Sequence, residues 1–173
     1  LATGDELVMP GDTPGPDQIV ASNAFGLKAL FEAEGARARL LPIARDTVHC
    51  LQAALELTSD TDLIVTIGGA SVGDHDLVAQ AAESLGMDRA FYKVAMRPGK
   101  PLMAGRLHGT PMVGLPGNTV SAMVCGHIFI LPMLRDMMGA GAMPAPRARL
   151  PLGIALPGNG PREHYMRARL DAG

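Results

Sequence analysis

The stretch DLIVTIGGASVGDHDLVAQAAESL, residues 62–85, decides the fold. Its opening, Asp62 to Ile67, is short, β-branched and apolar without helical spacing, the pattern of a strand buried on both faces. Its end, Asp76 to Leu85, carries apolar residues at helical spacing. Between them GGASVGDHD, Gly68 to Asp76, is a glycine-rich turn from a parallel strand into a helix. The turn bears the hydroxyl of Ser71 and the carboxylates of Asp74 and Asp76. Open α/β sheets bind their ligands at this end of the strands. Gly68, Gly69 and Gly73 let backbone N–H groups approach an anion at the helix start, where the dipole favours negative charge. The pattern is neither GxxxxGKS/T nor GxGxxG, which excludes the usual nucleotide fingerprints. A tight turn with Asp76 as N-cap is the plain structural alternative.

Outward from this centre, Thr3-Gly4-Asp5-Glu6-Leu7 follows the stub of a strand, and Pro10 to Pro16 is a loop. Ser22 or Asn23 is placed to cap a helix with Ala24, Leu27, Leu30 and Phe31 on one face, ended by Gly35. Arg39 to Ala44 reads as a strand delivering Arg45 and Asp46, followed by a helix from about Val48 to Leu57. On the other side come strands over Ala90 to Met96, Leu102 to Leu107 and Met112 to Leu115. They are separated by the turns Arg97-Pro98-Gly99-Lys100-Pro101 and His108-Gly109-Thr110. Pro116-Gly117-Asn118 then leads into the longest helix, Val120 to Met138, with Asn118 or Thr119 as cap and Ser121 in its first turn. This second corner repeats the first and points at the same sheet edge. Residues 139–146 form a linker. Arg147 to Leu156 and Arg162 to Leu170 read as two strands of a further β unit.

At 173 residues and 47% apolar content, the chain can bury one domain core with a short extension. It opens and closes abruptly, as an excerpt of a longer protein would. Residues 1–88 hold fourteen acids against four bases, whereas 89–135 hold six bases and no acid, so a site drawing on both halves can hold an anion and a cation together. The pI of 6.2 and the absence of aromatics among the bases argue against a nucleic-acid partner. The most apolar run, 119–134, is broken by Ser121, Gly126, His127 and Pro132, so no membrane span of the required ~18 residues is expected. Cys50 and Cys125 match no metal or redox spacing and read as free thiols in a reducing cytoplasm.

Four segments, TGDEL (3–7), GGASVGDHD (68–76), MRPGKPL (96–102) and GLPGNTVSA (114–122), together resemble the molybdopterin molybdenumtransferase family, bacterial MoeA and the E domain of gephyrin. The resemblance implies a three-layer α/β/α molybdopterin-binding (MogA-like) domain with a mostly parallel sheet over residues 1–138. Residues 147–173 then begin a small C-terminal β domain. It also implies insertion of molybdate into adenylylated molybdopterin (molybdopterin-AMP) with Mg2+ and release of AMP. A cytoplasmic homodimer is expected, with a molybdopterin adenylyltransferase as a possible upstream partner.

By the same resemblance Asp46 and Asp76 are the catalytic acids. By it Gly68, Gly69, Ser71, Gly73, Lys100, Pro116, Gly117, Asn118 and Ser121 bind substrate; residue chemistry adds Thr3, Asp74 and Arg97 to these, and makes Asp5, Asp46, Asp74 and Asp76 the candidates for Mg2+, with Asp5 and Asp76 as the first pair. The residue types suit this chemistry on their own terms. Phosphate and molybdate call for backbone N–H groups, hydroxyls and bases, and magnesium for carboxylates with phosphate oxygens. Phosphoanhydride cleavage needs positioning and charge neutralisation more than a nucleophile. The chain departs from the family at Ala2, Ala21, Ala70 and Thr119; at Ala21 relatives carry an acid. Alternatives within the same fold are a molybdopterin adenylyltransferase-like or nicotinamide-nucleotide hydrolase-like enzyme. A non-catalytic molybdopterin carrier is the alternative of another class.

Overall fold

The structure is a computed structural model that describes residues 1–69, 76–142 and 146–170. In chain order the elements are β1 (Leu7–Val8), β2 (Ile19–Val20), α1 (Ser22–Ala33), α2 (Val48–Glu56), β3 (Ile64–Ile67), α3 (Leu77–Ser84) and β4 (Asp88–Tyr92). There follow β5 (Met96–Arg97), β6 (Met103–Leu107), β7 (Thr110–Leu115), α4 (Thr119–Cys125), a π-helical stretch (Gly126–Ile130), α5 (Leu131–Met137) and β8 (Glu163–His164).

The main sheet is mixed. β3 runs parallel to β7, with Ile64 opposite Met112 and Ile67 opposite Leu115. Leu1 to Thr3 extends the parallel part, with Ala2 bridging Ile67 and Thr3 bridging Ala44. On the far side of β7 the strands turn antiparallel, in the order β3-β7-β6-β4. The β6–β7 hairpin closes through His108 (φ 49°) and Gly109 (φ 86°), the mirror-image turn whose twist matches its strands.

Side chains alternate across the sheet and build two cores. Ile64, Met103, Leu107 and Met112 pack with Leu51, Leu55, Val78 and Ala82 of α2 and α3. Ile67, Val113 and Leu115 pack with Leu27 and Phe31 of α1 and Ala122, Cys125, Ile130 and Leu134 of the long helix. The result is the expected α/β/α layering. Full burial of a Leu such as Leu27, Leu51 or Leu115 contributes about 1.5–3 kcal/mol.

Several local expectations are corrected. Of Arg39 to Ala44 only Ala44 pairs, donating to Ala2 O at 3.0 Å and accepting from Gly4 N at 3.1 Å; Pro42 has no N–H to continue a ladder. The cap of α1 is Ala21, without a side-chain bond, because Ser22 and Asn23 already lie inside the first turn. The long helix is continuous over Thr119–Met137, 19 residues, but its middle is π-helical, and Pro132 removes a donor just beyond. By length and composition that helix could cross a membrane, contrary to the reading of 119–134 as too interrupted. Its apolar face instead lies in the second core, and Arg135 pairs bidentately with Glu34 at the end of α1, at 2.6 and 2.8 Å. Residues 147–156 form no strand; Pro151 removes a donor from the middle of the segment. Only Glu163–His164 pairs, parallel to β5.

Candidate functional site

Parallel strands bring their C-terminal ends to one edge, and that edge gathers the motif segments. After the strand stub, Thr3 N donates to Ile67 O at 3.0 Å, and after β3, Gly68 N donates to Leu115 O at 3.1 Å. Gly68 (φ 93°) is pressed against its neighbour: a methyl placed on it would lie 2.5 Å from the Thr3 carbonyl oxygen. Gly69 (φ 69°) packs on Val78 in the same manner. A methyl on Gly117 would lie 3.4 Å from Gly68 Cα, so the corner after β3 and the corner after β7 are in contact. A cavity of ≈ 400 Å³ opens beside them, walled by Thr3, Glu6, Asn23, Gly68, Gly117 and Asn118.

Each corner is locked by a side chain. Asn118 caps α4, its Oδ1 accepting from Ser121 N at 3.1 Å and from Ser121 Oγ at 3.2 Å. Asp76 caps α3, its Oδ1 accepting from Ala79 N at 2.9 Å, while its buried Oδ2 has no partner among the described residues. The plain capping role is therefore real, and among the described residues it leaves one carboxylate oxygen uncommitted.

Asn23 reaches across the chain, Nδ2 donating to Gly117 O at 2.6 Å. Its place in the sequence makes it a possible cap of α1, but it lies inside the first turn. Nothing local reveals a bond to a loop so distant in sequence.

The acidic wall is built by Asp5 and Asp46. Asp46 N donates to Asp5 Oδ1 at 3.2 Å, Arg45 Nη1 donates to Asp5 O at 2.8 Å, and the buried Asp46 Oδ1 has no partner among the described residues. Burial, followed by the charges of Asp5 and Glu6, pushes the Asp46 carboxyl above its ordinary range, against a smaller opposing effect of the hydrogen bond with Asp5.

The basic turn arrives from the antiparallel side. Met103 at the start of β6 lies opposite Gly114, which sets Pro98 to Pro101 at the same edge as the two corners. The Arg97–Pro98 bond is cis, and Gly99 (φ 104°) packs on Cys125: a methyl there would lie 2.6 Å from Cys125 Sγ. Among the described residues neither Arg97 nor Lys100 forms an ion pair, whereas Lys28, Arg39, Arg89 and Arg135 do.

Ser71, Gly73 and Asp74 lie outside the described residues. Thr3, Gly68, Gly69, Pro116, Gly117, Asn118 and Ser121 stand together, with Lys100 on the same edge. Among the described residues no group of three His, Cys, Asp or Glu side chains is arranged around a metal position. Asp5 is joined to Asp46, and Asp76 is engaged at the start of α3.

Residues 1–136 match the family described as the probable molybdopterin binding domain. The chain is 40% identical over 177 residues to molybdopterin molybdenumtransferase 2 of Mycobacterium tuberculosis, covering 99% of this chain and 44% of that protein. It is 37% identical over 143 residues to a molybdopterin molybdenumtransferase of Nostoc sp., covering 80% of this chain and 33% of the relative. Among solved structures it resembles the molybdopterin biosynthesis MoeA protein of Pyrococcus horikoshii, with TM-score 0.73 and 32% identity over 80% of this chain and 34% of that one. The chain thus spans less than half the length of these relatives.

Proposed function

The chain belongs to the molybdopterin-binding domain family, and on that premise we propose that it is the substrate-binding part of a molybdopterin molybdenumtransferase. The reaction is insertion of molybdate into adenylylated molybdopterin, with release of AMP. The observation that carries this reading is the contact between the Gly68 and Gly117 corners, with a basic turn on one side of the edge and two carboxylates on the other.

In this reading the corner backbones, Thr3 and Ser121, together with Ser71, Gly73 and Asp74, hold the phosphate-bearing part of the substrate. Arg97 and Lys100 neutralise the anion as point charges. Asp46 and Asp76 are the catalytic acids. Their orphaned oxygens fit a hard dication, and the charges crowded at Asp5, Glu6 and Asp46 favour one. Asp5 and Asp76 would hold Mg2+ as two carboxylates, with most of its shell coming from substrate oxygens and water. Bound there, magnesium supplies charge neutralisation at the phosphoanhydride. The protein's own part is to position the carboxylates and to keep the anion fixed.

Residues 147–170 open a β domain in this proposal. The exposure of Leu150, Leu152 and Ile154 supports it, since such side chains call for a cover. A cytoplasmic homodimer, supplied by a molybdopterin adenylyltransferase, completes it. Ala21, buried in the wall of the cavity where relatives carry an acid, favours one second reading, a carrier that binds molybdopterin without turnover. The full-length protein given adenylylated molybdopterin, Mg2+ and molybdate should release AMP. Tight pterin binding with AMP at background would replace the transferase with the carrier.

A further inference from the structure

The turn carrying Arg97 and Lys100 is held from outside the family domain. The family match ends at residue 136, yet β8 lies along β5 in parallel register, with Met96 opposite Glu163 and Arg97 opposite His164. Glu163 N donates to Ala95 O at 2.9 Å and Tyr165 N donates to Arg97 O at 2.8 Å, so the backbone is gripped on both sides of Met96. The Tyr165 ring anchors the grip by packing against the core cluster that contains Met96, Leu102 and Cys125. Burial and a hydrogen bond with Glu163 push its phenol up. From Met96 the chain passes directly into Pro98-Gly99-Lys100-Pro101. The loop closes on itself through Val94 N donating to Lys100 O at 3.0 Å. Two bases without ion pairs among the described residues are thus mounted on a short turn whose entry strand is fastened by the tail.

We propose that Tyr165 and β8 are positioning elements of the anion site: they fix the Arg97–Pro101 turn so that Lys100 is presented, already ordered, at the edge formed by the Gly68 and Gly117 corners. The inference rests on the anion-binding reading above and adds that the tail is part of that site. Without the strap the turn samples many positions, and each anion bound must order it again.

The test uses the 173-residue chain, with molybdate and inorganic phosphate as titrants in calorimetry, and amide exchange as a second readout. Tyr165→Pro removes the N–H that bonds Arg97 O. Tyr165→Phe keeps both that N–H and the ring. Tyr165→Pro should weaken molybdate binding about tenfold, the scale of ordering one or two long side chains. It should also speed exchange of the Val94 amide. Tyr165→Phe should bind as the unaltered chain does. Lys100→Ala combined with Tyr165→Pro should bind no more weakly than Lys100→Ala alone, because both changes remove one contribution. Unchanged affinity and Val94 exchange in Tyr165→Pro, or additive losses in the double variant, would overturn the strap and leave the site standing. Failure of the unaltered chain to bind either anion would overturn the site and the strap together.

Discussion

Replacing Gly68 by alanine tests the corner on which the site is built. Two costs arise, and the structure separates them. The first is conformational: Gly68 has φ 93°, where an L side chain meets its own backbone, at about 1–2 kcal/mol. The second is a collision: the new methyl would sit 2.5 Å from the Thr3 carbonyl oxygen, a backbone atom in a paired strand that cannot swing aside. Overpacking of this kind costs about 1–3 kcal/mol, for a sum of about 2–5 kcal/mol. That is a large share of the roughly 5–15 kcal/mol that holds a domain folded. Gly109 supplies the control. It has φ 86° in the β6–β7 turn and nothing within 4 Å of the added methyl, so Gly109→Ala carries only the first cost. With a urea slope of roughly 1–3 kcal/mol per molar, the midpoint of Gly68→Ala should fall by about 1 M or more, and that of Gly109→Ala by less than half as much. Equal midpoints for the two variants would refute the packing of the corner after β3 against Thr3.

Three further outcomes follow from the carboxylates. Burial and the Asp5 and Glu6 charges hold the Asp46 carboxyl above its unfolded value, so its contribution to stability is complete in acid, below the ordinary carboxylate range, and is lost as pH rises through the folded value. Asp46→Asn should therefore raise the melting temperature at about pH 7 and lose that advantage near pH 3, on either side of the ordinary carboxylate range; a constant difference across that span would contradict the crowding. Asp76→Ala removes the α3 cap and should cost about 1 kcal/mol in denaturant titration. Asp76→Asn keeps an acceptor for Ala79 N but removes the charge, so it should retain most of that stability while losing Mg2+-dependent AMP release in the full-length protein. Full activity in Asp76→Asn would confine Asp76 to the cap.

What could be read from the residues was what is decided locally. The run of Leu63 to Ile67 into Gly68, and the helix beyond Asp76, are set by side-chain size, glycine and a cap within a few positions. The meeting of two such corners follows from the rule that parallel strands end together. Lys100 reaches that edge because β6 runs back along β7, and antiparallel register brings the start of one strand beside the end of the other. Pairing was the blind spot. Arg39 to Ile43 and Arg147 to Leu156 have strand-like residues, yet a strand needs a partner, and the identity of the partner is not written in the segment. The same holds for Asn23: its amide is ordinary in a first helical turn until the fold brings Gly117 alongside.

The wide turn at Gly126–Ile130 has a consequence for length. An i→i+5 turn houses about one residue more than an α-helical turn, and each residue of α-helix advances the direction of the side chains by about 100°. The helix therefore holds a spare position between Asn118, which caps its start beside the Gly68 corner, and Arg135, which latches onto Glu34. Trimming one residue inside that turn would let it tighten while both ends kept their bearings. The same loss nearer either end would swing one of them out of alignment, so this domain can absorb a shortened gene at one place along its longest rod and at few others.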